Sequence, residues 1–191
     1  GFQNRKRVII FGLNKKKVKD SEIRINRFYD YLSKEKDLRK ARTVEEAFKG
    51  LDKLLPLKNP SKRISHEVSG NDKLHKCRFH NKRDIEIFRL LSTDAERKNP
   101  VFQSVNSLKK LYIEKVGKSS SIHKYHVLRR DKPSNLIPAH LYKDGLRHIH
   151  FDPKQARSIS MREAAILQNF PKTFKFETSQ TDTFRMIGNA V

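Results

Sequence analysis

The spacing of apolar residues changes several times along this chain, and each change predicts a different element. Residues 7 to 13, RVIIFGL, form a short β-branched run closed by Gly12, the pattern of a buried strand. Ile25, Phe28, Tyr29 and Leu32 then recur at helical spacing and predict an amphipathic helix over 21–36. A second helix is expected over 43–56. There Thr43 and Glu46 make a capping box, Val44, Ala47, Phe48, Leu51, Leu54 and Leu55 share a face, and Pro56 stops the helix. Periodicity is lost over 58–81, which reads as a long surface loop or docking arm. Helical spacing returns over 83–97, with Ile85, Phe88, Leu91 and Ala95 aligned, and over 104–118, with Gly117 as the stop.

Beyond residue 123 the period shortens to two. The stretches 124–130, 134–143 and 147–152 alternate like strands and are separated by turn-forming DKP and DGL. Next comes SMREAAILQNF, apolar nearly all round, with Ser160 and Glu163 as a second capping box and Pro171 beyond Phe170. Such a helix must be buried, and Arg157 and Arg162 beside it then need acidic or carbonyl partners. These periods together predict an α+β class, with helices beside a small, mostly antiparallel sheet.

Charge narrows the function. The 191 residues carry 43 Lys and Arg against 21 Asp and Glu, a formal net charge of +22. The mean hydropathy is −0.79. A chain this basic repels itself unless it meets a polyanion, and nucleic acid is the expected partner. A basic surface kept for solubility is the plainer alternative. No long apolar run suggests a membrane. One cysteine, Cys77, excludes an internal disulfide framework. His66, His75, Cys77 and His80 lie close together, but without a CxxC pair and at a spacing no standard zinc knuckle uses. They are read as a histidine-rich loop and not as a metal site. The start on GFQNRK, without Met, and the end on FRMIGNAV lead to the expectation that both ends are cut.

Three stretches carry a family resemblance. Arg157, Ser160, Arg162-Glu163-Ala164-Ala165, Gln168 and Phe170-Pro171 resemble the ninth motif of the DNA cytosine-5 methyltransferases. Gln3, Arg5 and Arg7 resemble the eighth, and FRMIGNAV the tenth. Phe2 stands where members usually have Pro. The order is right, and the interval between the eighth and ninth suits the family's target recognition region. The family's Gly-rich cofactor motif, Pro-Cys nucleophile and Glu-Asn-Val motif are not found. Cys77 follows Lys76, not Pro, and is not taken as the nucleophile.

The resemblance implies three parts. Residues 1–18 would end a catalytic domain with a remnant strand, 19–156 would form the target recognition domain, and 157–191 would return to the catalytic domain. It implies an enzyme that flips a cytosine from duplex DNA. A thiolate there adds to C6, and S-adenosylmethionine gives its methyl to C5. Arg5 and Arg7 would meet the flipped nucleotide, as donors to the cytosine O2 and to phosphate, though on residue type alone they are surface arginines of an edge strand. Asn189 and Ala190 would lie at the cofactor, which the catalytic part would mainly bind, and Gly188 would supply a turn. Arg129, Arg130, Lys132, Ser134 and Asn135 are candidates for DNA contact. Gln3, Arg157, Ser160, Arg162, Glu163, Gln168 and Gly188 are expected to be structural. Implied partners are double-stranded DNA and an upstream catalytic region or subunit, in a bacterial cytoplasm. The alternative is a non-enzymatic basic DNA- or RNA-binding module.

Overall fold

A computed structural model describes residues 1–3, 8–37, 41–121 and 124–190. The chain divides into two units. One joins Gly1–Asn4 to Arg42–Val191, and the other is Arg5–Ala41.

The smaller unit holds α1, Ser21–Asp37. Phe11 stacks on Phe28 with ring centroids 4.2 Å apart. The Tyr29 hydroxyl accepts from the Phe11 amide at 3.1 Å and donates to the Ile9 carbonyl at 3.3 Å. An extended segment is thereby tied along the helix. It forms no strand, and Val8 and Ile10 are each 89% exposed. The buried strand expected over 7–13 is therefore not found among the described residues.

In the larger unit, each helix begins where a side-chain oxygen meets an orphan amide. α2 (Val44–Phe48) has the Thr43–Glu46 capping box. α3 (Lys82–Ala95), α4 (Val105–Val116), α5 (Met161–Leu167) and α6 (Gln180–Asn189) are capped by Asn81, Ser104, Ser160 and Ser179. α4 closes on Gly117 at φ +73°, the left-handed C-cap that favours glycine. α2 ends much sooner than its apolar spacing suggests. Gly50 sits at φ +82°, and the Leu54 and Leu55 amides beyond it are taken by the side chains of Gln155 and Glu67.

Among the described residues the expected antiparallel sheet is also absent, which corrects the α+β assignment. The described residues are helical with irregular connections, and only isolated bridges occur: Gln3 with Ser134, Pro56 with His66, and Ile149 with Val127 and Ser158. Burial over 124–152 does not follow the alternation either: Tyr125 and Leu128 are buried three residues apart, and His148, Ile149 and His150 are buried in succession. A ladder needs a run of free backbone groups on both strands, and here side chains intervene. Asn135 Nδ2 donates to the Arg147 carbonyl, the His148 ring bonds the Leu136 carbonyl, and Ser92 Oγ donates to that of His150. Pro138, which lacks an N–H, turns the chain into a single 3-10 turn at Ala139–Tyr142.

Two apolar clusters result. α3 and α4 close over Tyr125, Ile149 and Ala156. α2, α5, α6 and the 3-10 turn surround Leu128, Ile137, Ile159 and Phe176. α5 is buried along its whole length, and α6 buries Thr183, Phe184, Ile187 and Gly188. Gly188 lies inside α6 and not in the expected turn. A Cβ there would fall 2.6 Å from the Pro138 carbonyl oxygen and 2.9 Å from that of Ala139. Backbone on the far side cannot swing away as a side chain would. Gly188→Ala is expected to destabilise the fold by roughly 1–3 kcal/mol despite alanine's better helix propensity, as a urea titration would measure.

Candidate functional site

The centre of the larger unit is a buried ion pair. Arg157 is wholly buried, and its Nη1 and Nη2 donate to Glu163 Oε2 and Oε1 at 2.6 and 2.7 Å. Nη1 also donates to the Ser158 carbonyl, while Nε and Nη2 donate to Gln155 Oε1. Those bonds use all five guanidinium donors. Burial alone would push the Glu163 carboxyl up, but the Arg157 charge and hydrogen bonds outweigh it and hold the group well below its usual range. Glu163 Oε2 additionally accepts from the Ser160 amide, and Ser160 Oγ accepts from the Glu163 amide. One carboxylate thus neutralises the arginine and caps α5.

A shell of histidines surrounds this pair. His75 bonds Ser160 Oγ through Nδ1 and the Asp52 carbonyl through Nε2. His66 bonds Ser65 Oγ and the Gln155 carbonyl. His80 Nε2 accepts from the Ser158 amide. The 58–81 arm therefore docks as structure, with protein partners on the nitrogens that a metal would need. Among the described residues no cluster has the ligands for a metal ion. Cys77 is buried, and desolvation pushes its thiol up to about 11, the opposite of an activated nucleophile.

Two further anchors join separated parts of the sequence. Arg162 Nε donates to Asp72 Oδ2 at 2.5 Å, and its Nη1 donates to the Phe174 carbonyl. Gln3 Nε2 donates to Gln168 Oε1 at 2.5 Å, and Gln3 Oε1 accepts from the Ile137 amide. Gln168 Nε2 in turn reaches the carbonyls of Ile187, at 2.9 Å, and Ala190, at 3.4 Å. Glutamine suits this place because one planar amide donates and accepts at once. Asn189 is exposed at the end of α6, and Ala190 is half-buried beside it.

The five candidates for DNA contact have different surroundings. Arg130 is held by Glu45 at 3.3 Å and Glu96 at 2.6 Å, and lies over the Phe151 ring. Ser134 is buried, and its hydroxyl donates to the Asn135 carbonyl. The Asn135 amide is committed to Arg147. Lys132 is exposed. Arg129 is exposed, 3.8 Å from Asp131, on the wall of a groove of about 520 Å³ that also includes Arg97, Lys98 and Gln103. Arg5 and Arg7 lie outside the described residues. Sequence reasoning missed Gln155, Asp72, His75 and the Gln3–Gln168 pairing. No local pattern encodes the contact of Gln155 with Leu54, 101 residues away. The His75 contact with Ser160 spans 85 residues.

A chain whose buried arginine, capped α5 and amide-linked ends coincide with those motif positions can be compared with known proteins. It belongs to the C-5 cytosine-specific DNA methylase family, whose model matches residues 2–191. Among its relatives, the type II methyltransferase M.Bpa9945I of Bacillus paralicheniformis is 28% identical over 208 residues, covering 99% of this chain and 44% of the relative. The putative type II methyltransferase M.OihORF3336P of Oceanobacillus iheyensis is 47% identical over 70 residues, covering 37% of this chain and 15% of that protein. M.AgeI of Thalassovita gelatinovora is 46% identical over 69 residues, 36% of this chain and 16% of its own length. The chain spans less than half the length of these relatives. No helix among the described residues is long and apolar enough to cross a membrane.

Glu163→Gln leaves Arg157 charged in a dry interior, and a loss of roughly 3–5 kcal/mol is expected in urea melts. Acid should act through the histidines. Burial pushes His66 down to about 4 and His80, His148 and His150 down to about 3. Unfolded histidine takes up its proton near pH 6.5, so the unfolded state binds more protons below that point. Stability is then fully present above about pH 7. It falls as pH drops from about 6.5 toward 4, by up to about 1.4 kcal/mol per pH unit for each histidine. Glu163 adds to the loss below about pH 4.5. Thermal melts that stayed level between pH 7.5 and pH 5 would contradict this account.

Proposed function

We propose that this chain is the DNA-recognition portion of a DNA (cytosine-5) methyltransferase, with residues 19–156 as the target-recognition part. The flanking residues 1–18 and 157–191 return it to a catalytic region elsewhere, whether in one longer enzyme or in a second subunit. The observation that carries this reading is the amide network from Gln3 through Gln168 to the carbonyls of Ile187 and Ala190. It brings the eighth, ninth and tenth motif segments into one contact, across as many as 165 residues of sequence.

In this reading the Arg157–Glu163 pair fixes the start of α5 within the larger unit, and Arg162 fastens the 58–81 arm through Asp72. Arg5 and Arg7 donate to the flipped nucleotide, one to the cytosine O2, where negative charge gathers as C6 is attacked, and one to phosphate. S-adenosylmethionine supplies the methyl group when bound. Asn189, exposed where α6 ends, offers its amide to that molecule's amino-acid end, beside Ala190. Arg129 and Lys132 are the exposed cations of the 129–135 stretch and contact DNA first. Arg130, Ser134 and Asn135 hold the loop that presents them.

With labelled S-adenosylmethionine and duplex DNA, this chain alone is expected to transfer no methyl group, because its one cysteine is buried. It is expected to bind the duplex, with affinity falling about 10³-fold or more between 50 and 200 mM salt. The double variant R129Q/K132Q should weaken binding about tenfold. Methylation by the isolated chain would overturn the reading.

A further inference from the structure

The smaller unit carries a charged face that none of the motif positions uses. Arg5–Ala41 holds 13 Lys and Arg against five Asp and Glu. In α1, the apolar residues Ile25, Phe28 and Leu32 lie on one side, and Phe11 stacks on that side through Phe28. At 100° per residue, Arg24, Arg27, Tyr31 and Lys34 line a strip that flanks it. Their spacing of i, i+3, i+7 and i+10 extends ~15 Å along the helix axis. All four are exposed, Tyr31 by 61%.

These cations are left uncompensated. Among the described residues, Arg24, Arg27 and Lys34 make no ion pair, although Lys15 finds Glu22 at 2.8 Å. Asp30 stands at pairing distance in sequence from both Arg27 and Lys34 and bridges to neither. Three cations without an ion pair on one strip repel one another in a chain of +22, and Asp30 offsets only part of that cost, so the strip favours an external anion. Exposed Lys16, Lys17 and Lys19 in the preceding loop continue the same sign.

We propose that this face of α1 is a second DNA-binding surface, separate from the 129–135 stretch, which contacts the duplex backbone and reads no base. The strip is long enough to meet two or three successive phosphates of one strand. Arg24, Arg27 and Lys34 neutralise them, and the Tyr31 hydroxyl donates to a phosphate oxygen. A membrane surface fits less well, because a lipid-bound helix must bury its apolar side, and here Phe11 already covers part of it. The proposal rests on the DNA reading of this chain, and goes beyond it in assigning contacts outside the recognition loops.

The test uses the 191-residue chain and the triple variant R24Q/R27Q/K34Q, which keeps helix propensity. Circular dichroism and a melting curve confirm that the variant folds. Affinity for a 30-base-pair duplex is measured by fluorescence anisotropy from 50 to 300 mM NaCl. The logarithmic salt slope should become shallower by about 2–3, as expected for three lost phosphate contacts. The order of preference among duplexes of different sequence should not change. Duplex binding with an unaltered slope in the triple variant overturns this surface and leaves the DNA reading intact. Failure of the unaltered chain to bind any duplex overturns the DNA reading and this surface with it. Loss of binding to phosphatidylserine-containing vesicles, with the duplex slope retained, assigns the face to membrane and also overturns the proposal.

Discussion

Everything in the larger unit is arranged around the burial of one guanidinium. An arginine withdrawn from water is tolerated only if a carboxylate neutralises it and every N–H finds an acceptor. Arg157 meets both conditions, through a bidentate pair with Glu163 and through Gln155 and the Ser158 carbonyl. Each partner then has a second task. Glu163 closes the capping box of α5, and Gln155 accepts from the Leu54 amide just past α2. Displacing the arginine would therefore disturb the start of α5 and the segment after α2 together. Hydrogen bonds of this kind are directional, so the pair fixes orientation where apolar contacts alone would permit sliding.

The same charge shapes its surroundings. Buried histidines near a fixed cation stay neutral, and a neutral imidazole can accept at one nitrogen and donate at the other. His66 uses this to join the 58–81 arm to Gln155, and His75 ties the same arm to Ser160 and Asp52. An arm of low periodicity is thereby held by polar bonds rather than by an apolar face. Most of the chain's positive charge, by contrast, stays at the surface. The interior charges are thus paired with one another, and the excess of cations is carried outside.

Local signals were legible wherever a few neighbouring residues settle the outcome. The Thr43–Glu46 and Ser160–Glu163 capping boxes and the Gly117 stop were readable because caps act over three or four residues. The need of Arg157 for an acidic or carbonyl partner was also readable, from the all-round apolar helix beside it. The length of α2 was not. Leu51, Leu54 and Leu55 continue its spacing, but distant Gln155 and Glu67 claim the backbone beyond Gly50. The sheet misled for a related reason. Alternation is a short-range pattern, and here the chain packs irregularly against the core, burying residues three apart or in succession instead of every second one.

FRMIGNAV shows where the boundary falls. From residue types alone, Gly188-Asn189 reads as a turn, because glycine and asparagine favour one. The fold instead places Gly188 within α6, where the carbonyls of Pro138 and Ala139 leave no room for a Cβ. The linear order determined the helix starts, the basic character, the motif residues and the presence of a buried arginine, since these depend on composition and short spacing. Tertiary structure alone decided that Gln3 meets Gln168, that Asp72 receives Arg162, and that the paired periods never become a sheet. Each of those rests on contacts between residues far apart in the chain, and no local spacing encodes which distant backbone group will be free.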